Sequence, residues 1–487
     1  MIESGLNLGS LLTPALAPAL APVFAAGALA SPGDAPTRLS IFEGYVGVLI
    51  AAFLVTLVTT PLMRRLAIYG GVIDRPDQAR KIHKQPVAYL GGVAVYLGLM
   101  AGIVFAVIGT RVPGLMEWHR TDNLGENGFV MPVPFSILLG MTVIVLVGVI
   151  DDVAHISPRV KLGGQLFAAA ALAIDEVGVK LAAGLILPIC KSIGVPLLNI
   201  NGYETLGFLI PLPGSVPGVG EAIPIDIIYW IGTGIIGFAV IGLTNASNLI
   251  DGLDGLLSGT TAIAAVGLLV IALGMALADD GPRDGQRIIL CLALLGACMG
   301  FLPHNFNPAT IFLGDAGSLL LGFVACVIIL TMGDTGKTHL VAAGLIIYSL
   351  PIIDTTLAIV RRKMEGRSIS SADDQHLHHM LKRWLGVKGA VFALYGIAAS
   401  FAAIGAGASL VRARFIYFLA MVAASYIGIQ AIKISRKRLF DAQAEAMNAK
   451  PVSAPPNPIR TQPPAAAKVA TAPAAPGVPA PSDPARA

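Results

Sequence analysis

Pro303-His304-Asn305-Phe306-Asn307-Pro308-Ala309-Thr310-Ile311-Phe312-Leu313-Gly314-Asp315-Ala316-Gly317-Ser318 interrupts two apolar runs with a polar, turn-rich segment. One short stretch collects amides, an aromatic ring, a carboxylate and a hydroxyl. Lipid satisfies none of these groups, so a non-helical segment at membrane depth must line a protein-enclosed or water-filled cavity. The turn Gly314-Asp315-Ala316-Gly317-Ser318 lets backbone and carboxylate approach a metal-bound phosphate closely. Phe312, three residues before Asp315, offers a ring face on which a base can stack. The same residues also suit a plain turn between two membrane helices, and alone the stretch does not choose between these readings.

The rest of the chain makes the membrane certain. Its 487 residues are 55% hydrophobic and 13% charged, with a mean hydropathy of +0.76. Soluble domains carry about twice that charged fraction, so the expectation is an all-α, polytopic integral membrane protein. A net charge of +4, scattered along the chain, argues against a nucleic-acid partner. Cys190, Cys291, Cys298 and Cys326 lie in or beside apolar segments without metal-ligand spacing and read as small hydrophobes. About eleven apolar segments can cross roughly 30 Å of hydrocarbon. They lie near 42–64, 90–109, 135–152, 159–175, 225–246, 256–277, 287–302, 317–333, 338–360, 389–408 and 414–434. Residues 1–40 are an Ala/Pro-rich extension without a basic leader region, expected to be poorly ordered because Pro14, Pro18 and Pro22 would interrupt a helix. Residues 41–440 form the transmembrane domain, and 441–487 a Pro/Ala-rich tail expected to be disordered and cytoplasmic.

Cations fix the expected orientation. They gather in the first connection (Arg64, Arg65, Arg75, Arg80, Lys81, Lys84), in the ninth (Arg361, Arg362, Lys363, Arg367, Lys382, Arg383, Lys388) and after the last span (Arg436-Lys437-Arg438). Those regions are therefore expected in the cytoplasm, with the N-terminus outside. By parity every odd-numbered connection faces inward, and the polar motifs occupy the first, third, fifth, seventh and ninth. Unrelated linkers would not concentrate carboxylates and histidines on one side, so a composite site is expected there. The long 175–221 connection falls on the outer face, as a hairpin or surface helix.

Each inner connection has its own chemistry. In the first, the cations around Lys84 can grip a diphosphate or anionic lipid, or can simply reflect positive-inside bias. In the third, Asp151-Asp152 end an unbroken apolar helix, and Ser157-Pro158 stand in cap and first-turn positions of the next. With Ser157 as the cap, the acids have no evident structural task, and adjacent carboxylates at a membrane boundary favour a divalent cation or proton-acceptor role. Lys161, one turn on, can face an anionic group near them. In the fifth, Asn248, Asp251 and Asp254 recur at three-residue steps, which on a helix gives one polar edge. In the ninth, His376, His378 and His379 can hold phosphate or sugar hydroxyls. Zinc is the weaker option, because no cysteine is near and the spacing is not standard. The set suits phosphoryl chemistry with magnesium, which takes one or two carboxylates and leaves the other acids to orient substrate.

Asp151-Asp152, the Asn248-x-x-Asp251-Gly252-x-Asp254-Gly255 run, the Asn307-Pro308-Ala309 to Ser318 loop and His376-x-His378-His379 occur in the order seen in the polyprenyl-phosphate N-acetylhexosamine-1-phosphate transferases, which the chain resembles over roughly residues 42–434. The resemblance implies transfer of a sugar-1-phosphate from a UDP-sugar to undecaprenyl phosphate with release of UMP, Mg²⁺ (or Mn²⁺) as cofactor, and a multi-pass protein of the bacterial inner membrane with a cytoplasmic active site. It implies Asp315 as magnesium ligand and Asp151 and Asp152 as the catalytic pair, Asp152 close to the metal. Asn305 and Phe312 then hold and stack on uracil, and Asp254 contacts the nucleoside, with Asn248 and Asp251 beside it. The His-x-His-His form is closer to the UDP-N-acetylglucosamine branch than to the muramoyl-pentapeptide branch, whose members usually show three consecutive histidines. His155 stands where many relatives carry a further acid, and the 175–221 connection is longer than usual. A homodimer is compatible with this reading, whereas a phospho-N-acetylmuramoyl-pentapeptide transferase, a transporter and an inactive membrane scaffold are the competing readings of function.

Overall fold

The computed structural model describes residues 44–410 apart from 75–86, 113–114, 117–130, 201, 217–219, 279–282, 365 and 367–375, and beyond 410 only scattered positions between 421 and 440. Lys84, both terminal extensions and most of the 414–434 segment therefore lie outside the described residues. The elements between 44 and 410 all belong to the unit that ends at Ser435.

The architecture is a helix bundle built around one central helix, α9 (Gly314–Thr331), whose residues from Ala316 to Thr331 are all buried. A helix apolar on every side must be wrapped on every side. It is packed against α2 (Gly91–Gly109), α3 (Phe135–Ala154), α6 (Ile227–Ile250), α7 (Leu256–Leu277), α8 (Asp284–Asn305) and α10 (Thr338–Ile347). α1 (Val46–Tyr69) covers α2 and α8, while α4 (Pro158–Ile174) bridges α3 and α6. Outer helices keep large hydrophobes exposed, among them Leu54, Val58, Leu146 and Phe238. Apolar residues facing both inward and outward are the mark of a lipid-facing helix.

Among the described residues, eight helices are long and apolar enough to cross a membrane. This upholds the polytopic, all-α class and amends the list of spans. The 159–175 segment is a 17-residue helix. The 338–360 segment is not one rod: α10 and α11 (Ser349–Met364) meet at 79°. Pro351 lies in the first turn of α11, where the missing N–H is tolerated but a continuous helix is not. α12 (Leu377–Ser409) is likewise broken, at Gly386, whose φ of 70° favours glycine.

Three short antiparallel hairpins are added to the helices. β1 (Ile73–Asp74) pairs with β2 (Val87–Ala88), β3 (Leu198–Ile200) with β4 (Tyr203–Thr205), and β5 (Gly207–Val216) with β6 (Gly220–Asp226). The 175–221 connection thus contains both expected alternatives, since α5 (Lys180–Ser192) precedes its hairpins. Asp226 ends β6 and caps α6, accepting from the Tyr229 N–H at 3.0 Å.

The two ends of the central helix differ. At its C-terminal end Arg287 is fully buried, paired with Asp284, and donates to the Thr331 carbonyl at 2.7 and 3.0 Å. Asp334 beyond it accepts from the Gly178 N–H at 3.0 Å and pairs with Arg283 at 3.1 Å. These charges are bound to one another. At the N-terminal end, the polar groups face a cavity.

Candidate active site

α3 carries Asp151 and Asp152 in its last turn and stops at His155, which takes the left-handed conformation (φ 47°). His155 thus fills the place of the acid found in many relatives as a helix-terminating residue, its N–H donating to the Asp151 carbonyl at 2.9 Å. α4 begins at Pro158 with Ser157 in the cap position, but the Ser157 hydroxyl makes no cap bond. Its carbonyl instead accepts from Val160 and Lys161.

The two acids have different tasks. Asp152 does have a structural one: its carboxylate accepts from the backbone N–H of Asp315 (2.7 Å) and Ala316 (3.2 Å), capping α9 where Leu313 provides no side-chain cap. Both oxygens face α9, so Asp152 acts on the cavity through the position of Asp315. This corrects the expectation of a pair free of structural duty. Asp151 accepts from the Ile156 N–H at 2.9 Å and from Lys161 Nζ at 3.0 Å. Lys161 also binds Asp315, whose other oxygen accepts from Asn248 Nδ2 at 2.7 Å. Asn248 in turn reaches Ser318 Oγ at 2.9 Å.

Gly314 makes the Asp152 cap feasible. Its φ is +67°, and a Cβ there would lie 2.5 Å from Asp152 Oδ2. Gly314→Ala is therefore expected to destabilise the protein by about 1–3 kcal/mol through backbone strain alone. It should also displace Asp152, so that the thermal midpoint in detergent and the turnover fall together; an unchanged midpoint would contradict the cap.

The expected helix edge of Asn248, Asp251 and Asp254 is only partly helical. α6 ends at Ile250, Asp251 is its C-cap with ψ 52°, and Asp254 lies in the turn before α7. Gly255, with a φ of 78°, makes the turn into α7, and the acids still face the same cavity. Asp254 Oδ2 accepts from Asn307 Nδ2 (2.8 Å) and the Ala309 N–H (3.1 Å), tying the fifth connection to the seventh. Asn305 is buried with its amide engaged at both ends: Oδ1 accepts from the Gly255 N–H and Ser258 Oγ, and Nδ2 donates to the Ile311 carbonyl. It braces the loop from the cavity wall, of which it is a lining residue.

The first connection joins through backbone. Phe312 N–H donates to the Ala88 carbonyl at 2.9 Å, and the Gly91 and Gly92 N–H groups donate back to Phe312 and Leu313 at 3.0 and 2.9 Å. This sets the Phe312 ring 6.1 Å from that of Tyr89, tilted by 59°. Burial, then the charges of Asp74 and Asp152, raise the Tyr89 hydroxyl well above its ordinary range, so it remains a donor. Asp74 and Tyr89 lie in the loop where sequence reasoning singles out only Lys84. An acid and an aromatic ring beside a cationic run are the available signal.

The result is one cavity of about 860 Å³ lined by Asp74, Tyr89, Asn248, Asp251, Asp254, Phe312, Asp315 and His379 among others. That is within the range of small-molecule sites. Asp151 and Lys161 adjoin it through Asp315, so residues from the first, third, fifth, seventh and ninth connections meet. His379 reaches the wall, whereas His376 and His378 are buried behind it. Burial, followed by the charges of Asp315, Asp152 and Asp254, pushes the Asp251 carboxyl up to about 8. A cluster of carboxylates served by one lysine favours a cation, and its all-oxygen donors suit a hard divalent ion such as Mg²⁺ or Mn²⁺.

Fold and site together define a polytopic membrane protein whose clustered acidic side chains stand at one end of the bundle, around a polar cavity. Residues 134–333 match the model of glycosyl transferase family 4. The chain is 32% identical over 340 residues to the probable undecaprenyl-phosphate N-acetylglucosaminyl 1-phosphate transferase of Bacillus subtilis, over 68% of this chain and 77% of that protein. It is 31% identical to the decaprenyl-phosphate N-acetylglucosaminephosphotransferase of Mycolicibacterium smegmatis, over 68% and 74%. It is 30% identical to the phospho-N-acetylmuramoyl-pentapeptide-transferase of Desulforudis audaxviator, over 70% and 91%. The chain belongs to glycosyl transferase family 4.

Proposed function

We propose that this protein transfers N-acetylglucosamine-1-phosphate from UDP-N-acetylglucosamine to undecaprenyl phosphate, releasing UMP, at the cytoplasmic face of the bacterial inner membrane, as the first membrane step of a cell-envelope polysaccharide. The observation that carries this reading is the meeting of Asp151, Lys161, Asn248, Asp251, Phe312 and Asp315, from separate connections, around one cavity.

Asp315, with Asp251 beside it, would hold the Mg²⁺ whose charge neutralises the diphosphate. Asp152 holds Asp315 in place through the backbone of α9. Phe312, with Tyr89 behind it, offers the stacking face for uracil, and the Asp254-tied loop from Asn307 to Ala309 closes over the nucleoside. Asp151, fixed by Lys161 and the Ile156 N–H, faces the acceptor phosphate. In a single displacement, an oxygen of the lipid phosphate bonds to the sugar-bearing phosphorus as the bond to the UMP oxygen breaks. A lipid phosphate is largely deprotonated near neutral pH, so it needs little activation and a covalent aspartyl intermediate ranks second.

Purified protein given radiolabelled UDP-N-acetylglucosamine, undecaprenyl phosphate and Mg²⁺ should form labelled lipid and UMP. A parallel incubation with UDP-N-acetylmuramoyl-pentapeptide should give no product. Turnover of the pentapeptide substrate alone would move the protein to the other branch, and no product from either would reject the transferase reading. A transporter would place its charges near the midplane of the bilayer, whereas these acids lie at helix ends.

A further inference from the structure

Behind the cavity wall, the bend between α10 and α11 brings Asp354 to the start of α12. Asp354 Oδ2 lies 2.8 Å from His376 Nδ1, and Oδ1 accepts from the Leu377 N–H at 2.8 Å. The His378 ring stacks on His376 with centroids 5.5 Å apart and planes 18° from parallel. Donor atoms of Asp354, His376 and His378 lie within 4.8 Å of one another. All three residues are buried, at 3%, 5% and 2% exposure, and His378 Nδ1 has no hydrogen-bond partner among the described residues.

We propose that Asp354, His376 and His378 form a second cation site, selective for zinc, which pins the start of α12 to α11 and fixes the wall that carries His379. This goes beyond the transferase reading and does not depend on it. A buried imidazole nitrogen without a partner is costly, and a metal bond would satisfy it. Two imidazoles and one carboxylate are a zinc donor set, whereas magnesium avoids nitrogen and dedicated protein cages. Bonds of about 2.1 Å at tetrahedral angles place donors roughly 3.4 Å apart, so metal binding would open the 2.8 Å Asp354–His376 contact and draw the His378 ring inward. The fourth position is left to water or an anion. The missing cysteine, which weakens the zinc reading of the histidine motif, is replaced by an acid 22 residues upstream of His376.

The test is metal content, not turnover. Full-length protein in detergent is stripped with chelator, exposed to zinc alone with excess Mg²⁺ present, desalted and analysed for bound metal, and a parallel sample is loaded with Co²⁺ and read by its tetrahedral absorption band. One zinc per chain is expected in the wild type and in Asp315→Asn. At least about tenfold lower occupancy is expected in Asp354→Asn and in His378→Gln. Since His378 Nδ1 makes no hydrogen bond, His378→Gln should fold even if Asp354→Asn, which weakens the α12 cap, does not. Failure of the wild type to retain zinc would overturn the proposal. Equal retention by His378→Gln, or loss of zinc on Asp315→Asn, would do the same.

Discussion

Asp315→Asn is expected to lower Mg²⁺-dependent turnover on the order of 10³-fold or more while leaving the protein folded. The side chain is isosteric, and Asn248 can still donate to the remaining carbonyl oxygen. The Asp152 cap is unaffected because it binds the backbone N–H of residue 315, not its side chain. What disappears is the negative charge that pairs with Lys161 and would bind the metal. The measurement is turnover of labelled UDP-N-acetylglucosamine across a Mg²⁺ titration, alongside the thermal midpoint in detergent without metal. Wild-type turnover at an unchanged half-saturating Mg²⁺ concentration would remove Asp315 from the metal site. Asp152→Asn should behave differently. Its carboxamide would point an N–H donor at one of two backbone N–H donors, so the midpoint should fall by an amount equivalent to about 1 kcal/mol of lost capping.

Much of this arrangement is written locally. The apolar runs, the cationic connections and the polar breaks at Asp151, Asn248 and Asp315 are each visible within a dozen residues. The corrections all come from contacts between distant segments. That Asp152 is a cap depends on α9 starting against the end of α3, more than 160 positions later in the chain. That the Asn305 amide oxygen is held by Gly255 and Ser258 also depends on a distant segment. The three-residue rhythm of Asn248, Asp251 and Asp254 reads as helix, yet α6 ends at Ile250 with Asp251 as its C-cap. Asp354 is legible only as an acid in an apolar segment, because its partner is set by the 79° bend before α11. Tyr89 and Asp74 reach the cavity through the small hairpin, which pairs two residues with two and has no periodicity to detect.

Lys161→Gln is expected to separate catalysis from metal binding. The ammonium group lies between Asp151 and Asp315 and holds both, so its removal frees Asp151 to swing away and leaves two like charges facing each other. Loss of that preorganisation should reduce kcat by about 10²-fold. The sign for metal is opposite, because a positive charge beside Asp315 opposes a second cation. Taking it away should leave the half-saturating Mg²⁺ concentration unchanged or lower it. Lys161→Arg keeps the charge but replaces a compact ammonium with a planar fork, and should recover part of the metal behaviour and little of the rate. Steady-state kinetics of the three proteins across a Mg²⁺ series decide the matter. If Lys161→Gln instead raised the Mg²⁺ requirement at constant kcat, Lys161 would be supporting the metal site, and Asp151 would not need it to face the acceptor.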